Sequence, residues 1–260
     1  MVESILLKFC RPVDRPDYAA GTARTNLDNS LSFLMKTVPG FIDIVRGKSV
    51  LDFGCGYGWQ ATALARSYDA EVTGLDLDRP ELIASWDRIR KEYALPNLVL
   101  TADLPASQQF DVIMSCGSFE HFSDPEGILA LMRERLKPGG KIVITFAEPW
   151  YSNNGAHMGG FCRLPWVNLL FPESTVLRVR SRYRTDGAKR YEEIEGGLNR
   201  MTVSRFERII RSSGLHVEWM QLWPTLGLPL VTHIPVAREL LTSACSSILT
   251  KPEMVPEARS

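Results

Sequence analysis

From Lys48 to Thr145 short apolar or β-branched runs alternate with longer segments of helical periodicity, a pattern that leaves few folds other than a parallel sheet covered by helices. Strands are expected at 49–53, 70–77, 97–101, 110–116 and 141–146. A helix over 59–68 follows the first strand. After the second, Asp78 is placed to cap a helix with Pro80 in its first turn, and Leu82, Trp86, Ile89 and Tyr93 form a stripe facing the sheet. Asp124-Pro125 opens another helix with Leu129, Met132 and Leu136 on one face. Lys137-Pro138-Gly139-Gly140 then turns the chain into the strand over 141–146. Five strands, with helices between them, are complete by residue 147.

Scattered prolines, glycines and aromatics break this rhythm over 148–200, which reads as an insertion. The core resumes over 201–251. Thr202 or Ser204 caps a helix carrying Phe206, Ile209 and Ile210, a strand follows at 215–222, and a short helix over 236–241 precedes a last strand over 244–250. Residues 252–260 read as a polar tail, and 1–47 as an N-terminal helical cap whose helix over 27–38 lies over the ligand-bearing sheet edge.

Composition narrows the partners. Thirty basic residues balance thirty acidic ones, so no global field draws the chain to nucleic acid or an anionic membrane. The five cysteines are odd in number and show no CxxC spacing, which argues against a disulfide framework or zinc knuckle and favours a cytoplasmic setting. The first residues lack a long apolar stretch and predict no signal peptide. The apolar segment 222–241 is interrupted by Pro224, Pro229, Pro235, Arg238 and Glu239. It falls short of the ~18 unbroken apolar residues of a membrane span.

The richest string, Val50-Leu51-Asp52-Phe53-Gly54-Cys55-Gly56-Tyr57-Gly58, is a strand running through glycines into a helix, where backbone can approach a ligand and a helix start offers unpaired N–H groups. It departs from the dinucleotide fingerprint, because Trp59 stands where a third spaced glycine would be, and no basic residue lies in the loop to meet a pyrophosphate. Asp76 ends the second strand, where a carboxylate can accept both hydroxyl protons of a ribose. Asp103, in Thr101-Ala102-Asp103-Leu104 after the third strand, can accept from an adenine amino group.

VLDFGCGYG, GLDLD, the Ala102-Asp103 pair, FDVIMSCGSFEHF and LKPGGKIVIT, in this order and spacing, resemble the class I S-adenosylmethionine-dependent methyltransferases over roughly residues 45–147. The resemblance implies an α/β, Rossmann-like doubly wound sheet of seven mainly parallel strands in the order 3-2-1-4-5-7-6, the last antiparallel, with S-adenosyl-L-methionine as cofactor. It places Gly54, Cys55, Gly56 and Gly58 under the methionine portion with Asp52 supporting the loop, and Asp76 on the ribose. Leu77 falls against the adenine, Asp103 beside Leu104 on its amino group, and Cys116 and Gly117 on the cofactor floor.

For the acceptor, His121 and Glu120 follow the fourth strand, and His157 lies among Gly155, Gly159 and Gly160 of the insertion. An imidazole titrates where a hydroxyl proton can be drawn off, so His157 is the expected base, with Glu120 and His121 beside it. The string Gly117-Ser118-Phe119-Glu120-His121 is similar to the ExxEH of some metal-dependent O-methyltransferases. Gly117 replaces its first carboxylate, leaving Glu120 and His121 with Glu148 or His157 as ligands, and no metal is expected. Arg178, Arg180, Arg182 and Arg184 alternate as on one face of a strand, where they would either meet a phosphate or carboxylate or form a solvated face. HMGGFCRLPWVNLLFPE resembles methyltransferases that tailor glycans or natural products. The expected activity is methylation of a small molecule or saccharide on oxygen, with the insertion as acceptor lid. The rivals are a nicotinamide-dependent oxidoreductase and a non-catalytic cofactor-binding protein.

Overall fold

The computed structural model describes residues 2–11, 26–194, 196–225, 227, 232 and 234–251. The expected polar tail over 252–260 lies outside the described residues. Seven strands form one sheet: β1 (Ser49–Phe53), β2 (Glu71–Leu75), β3 (Leu98–Thr101), β4 (Phe110–Cys116), β5 (Leu136–Ala147), β6 (His216–Pro224) and β7 (Thr242–Thr250). Their order is β3-β2-β1-β4-β5-β7-β6. The pairs among β1 to β5 are parallel, and β7 runs antiparallel to β5 and β6.

The sequence forms this sheet because successive strand residues feed opposite cores. Val50, Val112 and Val143 join one apolar cluster, while Leu51, Ile113 and Ile142 join the other. The first face is covered by α2 (Ser32–Thr37), α3 (Phe41–Val45), α4 (Trp59–Ser67) and α5 (Pro80–Tyr93), through Leu34, Phe41, Leu64 and Trp86. The second is covered by α6 (Pro125–Arg135) and α9 (Val203–Ser212), through Leu129, Met132, Phe206 and Ile209.

The other α-helices among the described residues are α1 (Val2–Leu7), α7 (Val167–Leu170), α8 (Glu173–Arg180) and α10 (Pro235–Leu241). Residues 148–200 hold an apolar cluster of their own, with Met158, Phe161, Val176, Val179 and Tyr191, and Leu6 of α1 belongs to it. Within residues 1–47, therefore, α1 packs on the 148–200 segment, while α2 and α3 pack on the sheet. No helix among the described residues is long and apolar enough to cross a membrane.

Several local expectations give way. The helix expected over 27–38 begins only at Ser32, because Asn26 Oδ1 accepts from the N–H groups of Asp28 and Asn29 and holds the preceding residues in a turn. Asp78 does not cap α5, whose N-cap is Arg79 without a side-chain bond. Strand β5 starts early, at Leu136, which already pairs with Phe110, while 137–140 bulge out opposite Asp111. The arginines of 178–184 lie on no strand: α8 ends at Arg180, and Val176 and Val179 turn into the third cluster. Asp124 and Thr202 do cap their helices, accepting from Gly127 and Arg205 N–H.

Candidate active site

Strand β1 runs directly into the glycine loop and α4. Gly54, at φ 81°, sits where an added Cβ would come within 2.6 Å of the Ser118 Cβ. The loop after β1 and the turn after β4 are thus in direct contact, and Ser118 Oγ donates to the Gly54 carbonyl at 2.8 Å. Gly56, at φ 53°, instead faces open space. From below, Trp86 Nε1 donates to the Gly56 carbonyl at 2.8 Å and Ser85 Oγ to the Tyr57 carbonyl at 3.0 Å, so α5 holds the loop in place. Cys55 is buried beneath it beside Gly74, and burial holds its thiol protonated.

Two carboxylates flank this loop. Asp76 Oδ2 accepts from Gly56 N–H at 2.6 Å and Oδ1 from Leu77 N–H at 2.7 Å. Four lone-pair sites less these two leave capacity for further donors. Asp52 is fully buried and neither of its oxygens has a hydrogen-bond partner. Burial, reinforced by the negative charge of Asp76, pushes its carboxyl up to about 8. Leu77 is 70% exposed at the rim. Asp103 is exposed beside it, braced by mutual bonds with Thr101, and Leu104 packs at the margin of the second core. At the end of β4 burial pushes the Cys116 thiol to about 11, against the pull of Thr145 and Gln60. Gly117 follows, at φ 67° and facing open space, its N–H bonded to the Thr145 carbonyl at 2.8 Å.

The other expected residues gather beyond the ends of β4 and β5. Glu120 is buried, which raises its carboxyl. The Glu120 carbonyl accepts from Asn199 N–H at 3.0 Å, and the Asn199 side chain donates to the Phe119 and Phe122 carbonyls. The His121 Nδ1–H donates to the Gly197 carbonyl, and its ring meets that of His157 edge-on at 5.3 Å. His157 Nε2 lies 3.7 Å from Glu148 Oε2, and Asn154 Nδ2 donates to Glu148 Oε1. Burial, then the neighbouring His121, lowers His157 to about 3 and keeps its ring neutral. Burial raises Glu148 to about 7, the Asn154 bond opposing and the Glu120 charge adding to the rise. Among the described residues no three His, Cys, Asp or Glu side chains converge as a metal site.

Glu120, His121 and His157 thus come together, with Glu148 at the hub and Asn154 and Asn199 as supports. Asn154 did not stand out in the sequence, and Asn199 lies in the Gly197-Leu198-Asn199-Arg200-Met201-Thr202 string, which resembles that of glycan- or natural-product-tailoring methyltransferases. The part Asn199 plays emerged only once the fold laid it against the turn after β4. A cavity of about 430 Å³ opens beside this cluster, between the end of β5, the 148–200 segment and Phe33 of α2. A groove of about 570 Å³ along the outer face of α5 involves that helix alone and lies away from these residues.

Residues 51–144 match the family described as "Methyltransferase domain". The ubiquinone biosynthesis O-methyltransferase of Pseudomonas paraeruginosa is 33% identical over 133 residues, 50% of this chain and 56% of that protein. Methyltransferase GfsG of Streptomyces halstedii is 35% identical over 108 residues, 40% of this chain and 39% of that one. The chain thus covers about half, or less, of these relatives. Among solved structures, an S-adenosylmethionine-dependent methyltransferase from Mesorhizobium loti has a TM-score of 0.56 at 20% identity, covering 86% of this chain and 99% of its own. A glycopeptide N-methyltransferase complexed with sinefungin has a TM-score of 0.53 at 16% identity, covering 93% and 99%. These likenesses establish the fold.

Proposed function

The chain carries a class I S-adenosylmethionine-dependent methyltransferase domain, and from that premise we propose that it methylates an oxygen of a small molecule or saccharide in the cytoplasm. The observation that carries this reading is the pairing of Asp76 with the Gly56 N–H at an open glycine loop, above a buried Asp52 carboxyl left without a partner. Such a cradle fits a cationic amino-acid portion and a ribose better than a pyrophosphate. When bound, S-adenosylmethionine supplies an electrophilic methyl group.

In this reading Gly54, Cys55, Gly56 and Gly58 run under the methionine portion, with Asp52 supporting the loop. Asp76 accepts from the ribose hydroxyls. Leu77 and Leu104 lie against the adenine, Asp103 accepts from its amino group, and Cys116 and Gly117 form the floor. On the acceptor side Glu120, His121 and His157 wall the space above β4 and β5 and exclude water. The edge-on rings fix His157 against Glu148, and this pair handles the proton of the attacking hydroxyl. The five cysteines, all free thiols in the structure, support a reducing compartment.

Calorimetry tests the cofactor assignment. The protein should bind S-adenosylmethionine and S-adenosylhomocysteine and give no signal with NAD. Asp76→Ala should weaken both by about 1.5–3 kcal/mol, the value of hydrogen bonds to a charged acceptor. NAD binding without a response to either methionine derivative would overturn the reading.

A further inference from the structure

We infer that the cavity beyond β5 is the acceptor site, that it takes a polyhydroxylated molecule, and that Glu148 receives the proton of the hydroxyl being methylated. This rests on the methyl-transfer reading above. The placement is set by topology: Glu148 directly follows β5, which lies beside β4 and two places from β1 and its glycine loop. Helix α2 links the two regions. Its Phe33 lines the cavity, and Ser30 just before it is bonded to the start of α4, donating from Oγ to the Trp59 carbonyl and accepting from Gln60.

The lining specifies the class of acceptor. Glu148, Asn153, Asn154, Arg163 and Ser243 bring a carboxylate, two amides, a guanidinium and a hydroxyl to the wall of a space of about 430 Å³. That volume lies within the range of small-molecule sites, about 300–1,000 Å³. A mixed array of donors and acceptors suits groups that both donate and accept, as hydroxyls do, and the Phe33 ring offers a face for the C–H side of a sugar. A planar apolar acceptor would leave these polar groups desolvated without partners.

The backbone here is held in a conformation that side chains disfavour. Glu148, His157 and Trp166 have φ of 60°, 52° and 55°. They are pinned by bonds from their N–H groups to the Ser243, Asn154 and Asn153 carbonyls at 2.7, 2.8 and 2.8 Å. Such strain is retained where geometry matters for function. It aims Glu148 between Asn154 on one oxygen and His157 on the other. The ionisable neighbours are Glu120 after β4 and His157 and Arg163 from the 148–200 segment, with His121 behind His157. A carboxylate raised to about 7 by burial is matched to taking a proton near neutrality, whereas the neutral His157 ring positions it. In the step, the acceptor oxygen bonds to the methyl carbon, the carbon–sulfur bond breaks with its electron pair left on sulfur, and the hydroxyl proton passes to Glu148.

The test uses the full chain labelled with ¹³C at glutamate carboxyls and saturated with S-adenosylhomocysteine, with saturation followed by calorimetry. A carboxyl signal titrating near neutrality should disappear in Glu148→Gln. Methyl β-D-glucopyranoside, as the polyol probe, should shift that titration, and catechol, as a planar diol probe, should not. With labelled S-adenosylmethionine, methyl transfer to the glucoside should rise as Glu148 deprotonates and fall about 100-fold or more in Glu148→Gln, with homocysteine-derivative affinity intact. Glu148→Asp should retain part of the transfer, and His157→Gln should displace the pH profile without abolishing it. Protein that saturates with S-adenosylhomocysteine but shows no response of Glu148 to the glucoside, or an equal response to catechol, overturns this inference. Failure to bind S-adenosylhomocysteine overturns the methyl-transfer reading instead.

Discussion

Asp52 shows how one side chain can couple the site to the stability of the molecule. Its carboxyl is fully buried, lacks partners and sits at about 8, against 3.8 for a free aspartate. Because the folded value is raised, the stability associated with its protonated form is complete below about pH 4 and is lost as pH rises through about 8. Asp52→Asn cannot ionise. Its melting temperature should therefore exceed that of the wild type by an amount that grows between pH 5 and pH 9, by several degrees, since about 1 kcal/mol shifts a domain of this size by about 2–4 °C. Thermal melts by circular dichroism across that range check it, and parallel pH curves for the two proteins would refute the buried-charge argument. Asp52 entered through the family resemblance, whereas Asp76 and the glycines were legible in the sequence because they follow one another along a loop and the next strand end. The centrality of Glu148 was not. Its partners Asn154 and His157 come from a segment without periodic pattern, and Asn199 reaches the turn after β4 across 80 positions.

At the scale of elements, the arginine segment is where pattern misled. Alternation at 178, 180, 182 and 184 imitates a strand, but Val176 and Val179, with Tyr183 beyond them, fall on one helical face, and that burial outweighs the charge pattern. Arg178 and Arg182 turn outward to Glu3, while Arg180 turns inward to Asp186 at 2.6 Å, the two side chains being 8% and 17% exposed. Removing one member of so buried a pair strands the other. Arg180→Met should cost about 3–5 kcal/mol in urea unfolding, and Arg180→Met with Asp186→Leu should recover most of it. An additive double variant would show that the two charges do not depend on each other. The helices and strands of the sheet were far more legible, because each has a periodic face and a stop or cap nearby. Some ends shifted, such as the start of α2, set by local side-chain bonds, and the start of β5, set by the bulge opposite Asp111.

For the whole molecule, the alternation of strands and helices pointed to a parallel sheet, and the strand order was legible only through the family resemblance carried by VLDFGCGYG, GLDLD and LKPGGKIVIT. The union of the two ends of the third core was not, since nothing local links α1 to residues 148–200. Phe9 and Arg11 join that segment through Arg163 N–H to the Phe9 carbonyl at 3.0 Å and Arg11 N–H to the Phe161 carbonyl at 2.8 Å. Tyr183 Oη donates to the Arg11 carbonyl at 2.7 Å. Leu6, fully buried, sits among Val176, Val179 and their neighbours, in a cluster distinct from the two that sandwich the sheet. Separate apolar clusters open as separate cooperative units, and the less extensive one opens first. Leu6→Ala should cost about 2–5 kcal/mol locally. In hydrogen exchange followed by mass spectrometry, peptides from α1, α8 and the segment over 150–194 should exchange faster together, while β1, β4 and β5 keep their protection. Because the same segment walls the cavity beyond β5, the variant should keep its affinity for S-adenosylhomocysteine and lose response to the glucoside. Acceleration spread evenly over the sheet would show instead that the three clusters unfold as one, and that the acceptor wall has no opening of its own.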